Sequence, residues 1–337
     1  MKVLIVRHSS IGDIVHTLPA LSALHRNGHQ VCWVTEPPGL PLLENSPFLS
    51  GVVRAPAARA WSARAAWSAL GELRRQGLDV ALDFGGLWKS AAWARLSGAR
   101  RVVGFEPRYR REPASAWLLS ERAGRTEAPH VIDKNLSLLR PLGIDAVGCR
   151  DFPLPARQPQ AARVDEWLGE RALPGFAILN PGGGWASKLW PPEGFGAVAS
   201  GLRERGLRSI VTWGPGEGDL ADQVVGASQG AAERAFPTDL LDYAELARRA
   251  RLVVAADTGP LHLACALGTP AVGLYGPTDP ARNGPFAPED QVVRRVPPCA
   301  PCHRRRCPVH DGVMREITPS EVLVAIDRRL GSGAATS

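Results

Sequence analysis

No apolar run in this chain approaches the roughly eighteen residues that a membrane-spanning helix needs. The stretch behind the first residues, Val3 to Val6, stops at Arg7. That is a buried strand, too short for a signal-peptide core, so the expected location is the cytoplasm. No Asp-x-Asp pair occurs anywhere, which removes the common carboxylate clamp for a nucleotide-bound Mg²⁺. Internal repeats are absent, and the small-residue tail 331–337 is the one low-complexity stretch. Lysine is scarce: of 40 basic residues only Lys2, Lys89, Lys134 and Lys188 are lysines.

What is present describes a soluble globular chain of 337 residues, 45% hydrophobic and 22% charged, long enough for one large domain or two ordinary ones. A net charge of +7 suits an anionic partner: nucleic acid, a phosphorylated glycan or an anionic membrane face. Arginine richness also has a bland reading, as an imprint of genome composition. Nucleic acid is disfavoured, because the chain lacks the aromatic-plus-basic stripe of single-strand binders and any recognition helix.

The segment 251–280, RLVVAADTGPLHLACALGTPAVGLYGPTDP, is the most informative. Its pattern predicts a strand from Leu252 to Ala256, a turn at Asp257-Thr258-Gly259, and a helix opened by Pro260. A second strand then ends at Gly276-Pro277. This is one βαβ unit of a parallel sheet, and the free N–H groups at the start of its helix suit a phosphate. A plain helix cap for Asp257 and a core role for His262 are the bland alternatives. Upstream, FAILNPGGGWASKLWP (176–191) predicts a strand, a glycine turn and then Lys188. Glycines 182 to 184 allow close approach of a ligand, although the spacing is not that of a Walker loop.

Two halves emerge, each expected to be a doubly wound α/β domain: 1–153, then 160–315, with the proline-rich stretch 151–159 as linker. Together they predict a cleft between the carboxyl ends of two sheets. In the first half, strands are expected at 2–6, 30–35, 80–84 and 102–105, and helices at 17–27, 61–76, from 87, and at 133–142. A final helix over 316–330 is expected to pack back onto the first domain. Trp61, Trp67, Trp88 and Trp117 are read as core residues, with contact to lipid or glycan as the alternative.

Chemistry in the first half centres on HSSIGDIVHTLPAL (8–21), which follows the first strand. Asp13 lies where open α/β sheets hold ligands and is the candidate general base. Thr17, ahead of Leu18-Pro19, is the better cap and leaves Asp13 free; His8 and His16 are rival bases. Lys188 and the helix N-terminus would neutralise leaving phosphates without a metal. Cys32, Cys149 and Cys265 read as buried thiols. Cys299, Cys302, Cys307 and His310 have a spacing that admits a closed structural zinc set, the alternative being a reduced, metal-free loop.

The blocks HSSIGDIVHTLPAL, DFGGLWKSA (83–91), REP (111–113), NPGGGWASKLWP, WGPGE (213–217) and ADTGPLHLACALGTPAVGLYGPTDP run in order from about residue 1 to 280. Together they resemble the bacterial lipopolysaccharide heptosyltransferases, glycosyltransferase family 9, and are most similar to the heptosyltransferase I branch. The resemblance implies a GT-B fold and inverting, metal-independent transfer from ADP-heptose. The acceptor would be the 3-deoxy-octulosonate (Kdo) of Kdo-lipid A or inner-core lipopolysaccharide, at the inner face of the cytoplasmic membrane, with no cofactor. It casts Asp13 as base and Lys188 as the donor-phosphate lysine. Gly183, Gly184, Glu217, Asp257, Thr258, Gly259 and His262 become further donor contacts. Ser10, Gly12, Arg59, Arg64, Lys89 and Arg111 become acceptor contacts. Cysteine-rich loops also occur in some members. One departure stands out: Gly183 and Gly184 replace hydroxyl side chains, which leaves open a different donor sugar or a later core acceptor. A GT-B nucleotide-sugar epimerase or hydrolase is the rival class.

Overall fold

A computed structural model of the chain describes residues 1–57, 62–171, 173, 175–302 and 312–331. The chain forms two compact units, Met1–Pro155 and Ala156–Ser337.

In the first unit six strands make one parallel sheet: β1 (Lys2–Val6), β2 (Gln30–Thr35), β3 (Gly51–Arg54), β4 (Val80–Asp83), β5 (Arg101–Phe105) and β6 (Glu121–Ala123). Their order across the sheet is β3-β2-β1-β4-β5-β6, and β1 pairs in parallel with both β2 and β4. The second unit holds β7 (Phe176–Asn180), β8 (Arg208–Val211), β9 (Ala232–Arg234), β10 (Leu252–Ala256), β11 (Ala271–Tyr275) and β12 (Gln291–Arg294). Their order is β12-β11-β10-β7-β8-β9, again all parallel, which is the same winding read from the other edge. The two units therefore repeat one topology with no repeat in sequence. Helices cover both faces of such sheets, so the central strands are unbroken apolar runs. VLIV in β1 and LVVAA in β10 are buried throughout.

Strand order reverses once in each sheet, between β1 and β4 in the first unit and between β7 and β10 in the second. Beyond the carboxyl ends of those pairs lies the crevice where open α/β sheets bind ligands. Four loops meet these points: 7–10 and 84–87 in one unit, 181–185 and 257–258 in the other.

Several expectations need correction. The helix expected over 133–142 divides into an α-helix, Val131–Leu136, and a 3-10 segment, Ser137–Leu142, because Pro141 cannot donate its N–H. The stretch 11–15, read as loop, forms a short helix, Ile11–Val15. The helix Gln158–Gly169 begins inside the expected linker. The last helix, Pro319–Gly331, lies within the second unit, where Val322 and Ile326 enter the core and Arg205 pairs with Asp327 at 2.7 Å. Trp67, Trp88 and Trp117 are not core residues but exposed, while Trp61 lies outside the described residues. Cys32 and Cys265 are buried as expected, whereas Cys149 is only half-buried.

Candidate active site

The reversal point of the first unit is organised by Arg7, at the end of β1. One arm of its guanidinium pairs with the Asp13 carboxylate, and the other donates to the Phe84 carbonyl just beyond β4. Asp13 is the third residue of the helix Ile11–Val15. Its Oδ2 accepts from the Ser10 N–H and hydroxyl, both at 3.1 Å, which closes a capping box. The expected division of labour is thus reversed. Thr17 makes no cap bond but donates to the Asp13 carbonyl at 2.8 Å, and Asp13 itself does the capping. Its side chain still keeps a third of its surface exposed. Ser10 is exposed and Gly12 buried.

The rival bases fare differently. His8 is buried and its Nε2 has no hydrogen-bond partner; burial first, then the charges of Lys89 and Arg7, pull its pKa down to about 3. An imidazole so acidic is a poor base near neutrality. His16 is buried beneath the loop, where its carbonyl accepts from Asn135 at 3.0 Å.

Of the other residues read as acceptor contacts, Lys89 bonds to the buried carboxylate of Glu36, while Arg64 and Arg111 are exposed; Arg59 lies outside the described residues. Arg111 follows Arg110, whose guanidinium is fully buried 2.5 Å from Asp83 Oδ2. Asp83 also accepts from the Gly85 and Gly86 amides at 2.9 and 3.3 Å. A buried ion pair at the end of β4 therefore pins the loop that carries Arg111.

In the second unit Asp257, just past β10, is the hub. Its Oδ2 lies 2.6 Å from Lys188 Nζ. Its Oδ1 takes the Asn283 amide at 2.6 Å and His262 Nε2 at 3.1 Å. Burial alone would push this carboxyl up, but the hydrogen bond and charge of His262 and the Lys188 ammonium outweigh it and hold the pKa far below the carboxylate range. Lys188 also sits 4.5 Å over the Trp185 ring. Thr258 is the N-cap of the helix Gly259–Ala266 yet makes no side-chain cap bond.

Glu217 joins two loops: its oxygens accept from the Gly183 and Gly214 amides, each at 2.9 Å. A Cβ on Gly182 would stand 2.0 Å from Glu217 Oε2, so any side chain there must displace the Glu217 carboxylate. Gly183 faces the Thr258 methyl, and Gly184 is open to solvent. Four buried side-chain oxygens, those of Asn180, Thr258, Thr278 and Asn283, make no hydrogen bond within the protein. All four follow or end strands β7, β10 and β11, and buried polar groups ordinarily find partners. That edge can accommodate a polar ligand, and Lys188 and the helix amides are donors an anion could use.

Sequence reasoning did not find Arg7, Glu36, Arg110 or Asn283. Each serves through contacts with residues far away in the chain, and only the clustering of acids beside glycine turns hinted at such anchors. Of the expected zinc ligands, Cys299 is exposed and Cys302 half-buried, while Cys307 and His310 lie outside the described residues. Among the described residues no cluster of His, Cys, Asp and Glu is placed to hold a metal.

Comparison with known proteins agrees with this geometry. The model of glycosyltransferase family 9 (heptosyltransferase) matches residues 67–311. Lipopolysaccharide heptosyltransferase 1 of Pseudomonas aeruginosa is 32% identical over 322 residues, covering 91% of this chain and 87% of its own length. The enzyme of the same name from Escherichia coli K12 is 28% identical, covering 88% and 94% respectively. Among solved structures, E. coli heptosyltransferase WaaC with ADP superposes with a TM-score of 0.77 at 25% identity, over 98% of this chain and all of that one. A family 9 glycosyltransferase from Veillonella parvula reaches a TM-score of 0.81 at 18% identity, covering 98% of this chain and 97% of its own, and supports the fold. Two parallel six-stranded sheets in the GT-B arrangement, matched by sequence along most of the chain, place this protein in glycosyltransferase family 9, the heptosyltransferases.

Proposed function

We propose that this enzyme moves heptose from ADP-heptose to the Kdo of nascent lipopolysaccharide, with inversion and without a catalytic metal. The observation that carries the donor side is the Lys188–Asp257–His262 cluster at the β7/β10 reversal, beside Glu217 and unpaired buried oxygens. A diphosphate suits that edge: Lys188 and the amides of Thr258, Gly259 and Leu261 meet the charge that grows on the departing ADP. Glu217 places the nucleoside end between the 183 and 214 loops. The relatives named above, with ADP bound in one of them, support this choice of donor.

The first unit supplies the base. Asp13 takes a proton from an acceptor hydroxyl, whose oxygen attacks the anomeric carbon on the face opposite ADP. Proton removal by a positioned carboxylate contributes roughly 10²–10⁴ in rate. Arg7 holds one carboxylate oxygen and Ser10 the other, which fixes the direction of the abstracting lone pair. Ser10, Gly12, Arg59, Arg64, Lys89 and Arg111 belong to the acceptor side, where the acceptor's carboxylate and phosphates need cations. That acceptor is carried on lipid, so the enzyme works as a peripheral protein on the anionic inner face of the cytoplasmic membrane. No helix among the described residues is long and apolar enough to cross it.

The test is ADP release from ADP-heptose with and without Kdo-lipid A. Acceptor-dependent release is expected. Release without acceptor would make the protein a hydrolase, and none with either would point to another donor sugar or a later core acceptor.

A further inference from the structure

The net charge is not shared between the units. Residues 1–155 carry 20 basic and 13 acidic side chains, residues 156–337 carry 20 of each, and the whole excess of +7 therefore belongs to the first unit. The tryptophans divide in the same way. Among the described residues the three exposed ones are Trp67, Trp88 and Trp117, at 61, 43 and 78% exposure, and all lie in the first unit.

They occupy three neighbouring elements. Trp67 sits on the helix Ala63–Arg75, whose Arg74 donates to the Leu96 carbonyl at 3.0 Å and so ties it to the helix Trp88–Leu96. Trp88 opens that second helix, and its backbone N–H donates to Glu112 Oε2 at 2.5 Å, beside the 3-10 segment Pro113–Leu118 that carries Trp117. On the first helix Arg64, Trp67 and Arg74 recur at helical spacing along the exposed side. On the second the exposed side reads Trp88, then Arg95 and Leu96. Their opposite sides bury Ala66, Leu70, Leu73, Trp93 and Ala94 in the core under the sheet. Amphipathic aromatic rings among arginines are the composition of a bilayer interface: tryptophan settles at headgroup depth and arginine attracts anionic lipid.

We infer that this face, the exposed sides of helices 63–75 and 88–96 with the turn at Trp117, docks on an anionic lipid bilayer. The inference rests on the lipid-borne acceptor proposed above and names the surface that meets the membrane. Charge complementarity selects the occupant, because a second copy of the chain would bring like charge onto a positive face, at a cost in repulsion.

The test is co-sedimentation of the full-length protein with vesicles of phosphatidylethanolamine and phosphatidylglycerol, against phosphatidylcholine alone. Binding is expected to the anionic vesicles only and to weaken as salt rises. The double variant Trp67→Ser/Trp117→Ser loses at least about tenfold in vesicle affinity. Arg75→Gln, at the exposed last residue of the helix 63–75, and Arg95→Gln lose up to about fivefold each. ADP release with a delipidated Kdo saccharide is measured beside it, and wild-type rates there show the variants folded and the site intact. Wild-type protein that ignores anionic vesicles, or binding indifferent to the tryptophans, overturns the docking surface whatever the transferase assay gives. Self-association abolished by Trp67→Ser/Trp117→Ser, without vesicle binding, overturns it too and assigns the face to a second copy. Failure of ADP release alongside tryptophan-dependent vesicle binding removes the proposed donor and acceptor and leaves the surface standing.

Discussion

Lys188 and Asp257, 69 residues apart, meet at 2.6 Å over the carboxyl edge of the second sheet. The contact joins the loop after β7 to the loop after β10, across the point where strand order reverses. In the proposed reaction it keeps an ammonium beside the leaving diphosphate and offsets the charge of a buried carboxylate. Lys188→Met is expected to lower kcat/KM by about 10²–10³. Asp257 retains His262 and Asn283, so unfolding free energy should drop by only about 1–3 kcal/mol. Steady-state kinetics and a urea titration measure the two; activity within a few-fold of wild type would remove Lys188 from the phosphate site.

Asp13→Asn keeps an oxygen for the Ser10 N–H and so preserves the capping box, but it cannot take a proton. Turnover is expected to fall by about 10²–10⁴ while ADP binding, followed by calorimetry, stays as in wild type. More than about a tenth of the wild-type rate would show that another group is the base.

His8 gives the first unit a pH dependence of known sign. Its folded pKa is about 3 against 6.5 unfolded, so the unfolded chain binds the proton more readily. The stability that His8 contributes is complete above pH 6.5 and is lost as pH falls toward 3, with a slope of up to about 1.4 kcal/mol per pH unit. Replacing His8 with Gln should flatten that slope in denaturant titrations of the first unit's transition. An unchanged slope would place the proton elsewhere.

Arg110 and Asp83 are both fully buried. Arg110→Met strands a carboxylate that keeps only the Gly85 and Gly86 amides, at an expected cost of about 3–5 kcal/mol. Adding Asp83→Asn should restore part of that loss, since the unpaired charge goes with it. Equal destabilisation in the single and double variants, read from guanidinium melts, would contradict the pairing.

Gly182→Ala forces its Cβ into Glu217, and something there must shift. Weaker ADP binding with little change in kcat is the expected outcome, because the nucleoside end of the site opens while Lys188 and Asp13 stay in place. The split between KM and kcat is the readout.

Much of the architecture was legible in the chain because it rests on local pattern. LVVAA, FAILN and KVLIV are apolar runs bounded by turn residues, and their strands appear where periodicity put them. The glycine turns and Asp257-Thr258-Gly259 announced the loops that follow β7 and β10. Edge strands such as Glu121–Ala123 and Ala232–Arg234 were invisible, since three residues carry too little pattern to stand out. Trp67, Trp88 and Trp117 misled in the other direction: a large apolar ring implies burial unless its neighbours leave it uncovered.

Sequence by itself determined the α/β class, the two halves and the family resemblance, and it singled out Asp13, Lys188 and Asp257 as candidates. All of these depend on residue types in a row or at fixed spacing. Tertiary structure alone decided what those groups touch. Arg7 reaches the Phe84 carbonyl because β1 and β4 are neighbours, Asn283 reaches Asp257 because β10 and β11 are, and the charged tryptophan face exists because two helices lie side by side. Such contacts are set by sheet order and helix packing between segments distant in the chain, and no local pattern encodes them.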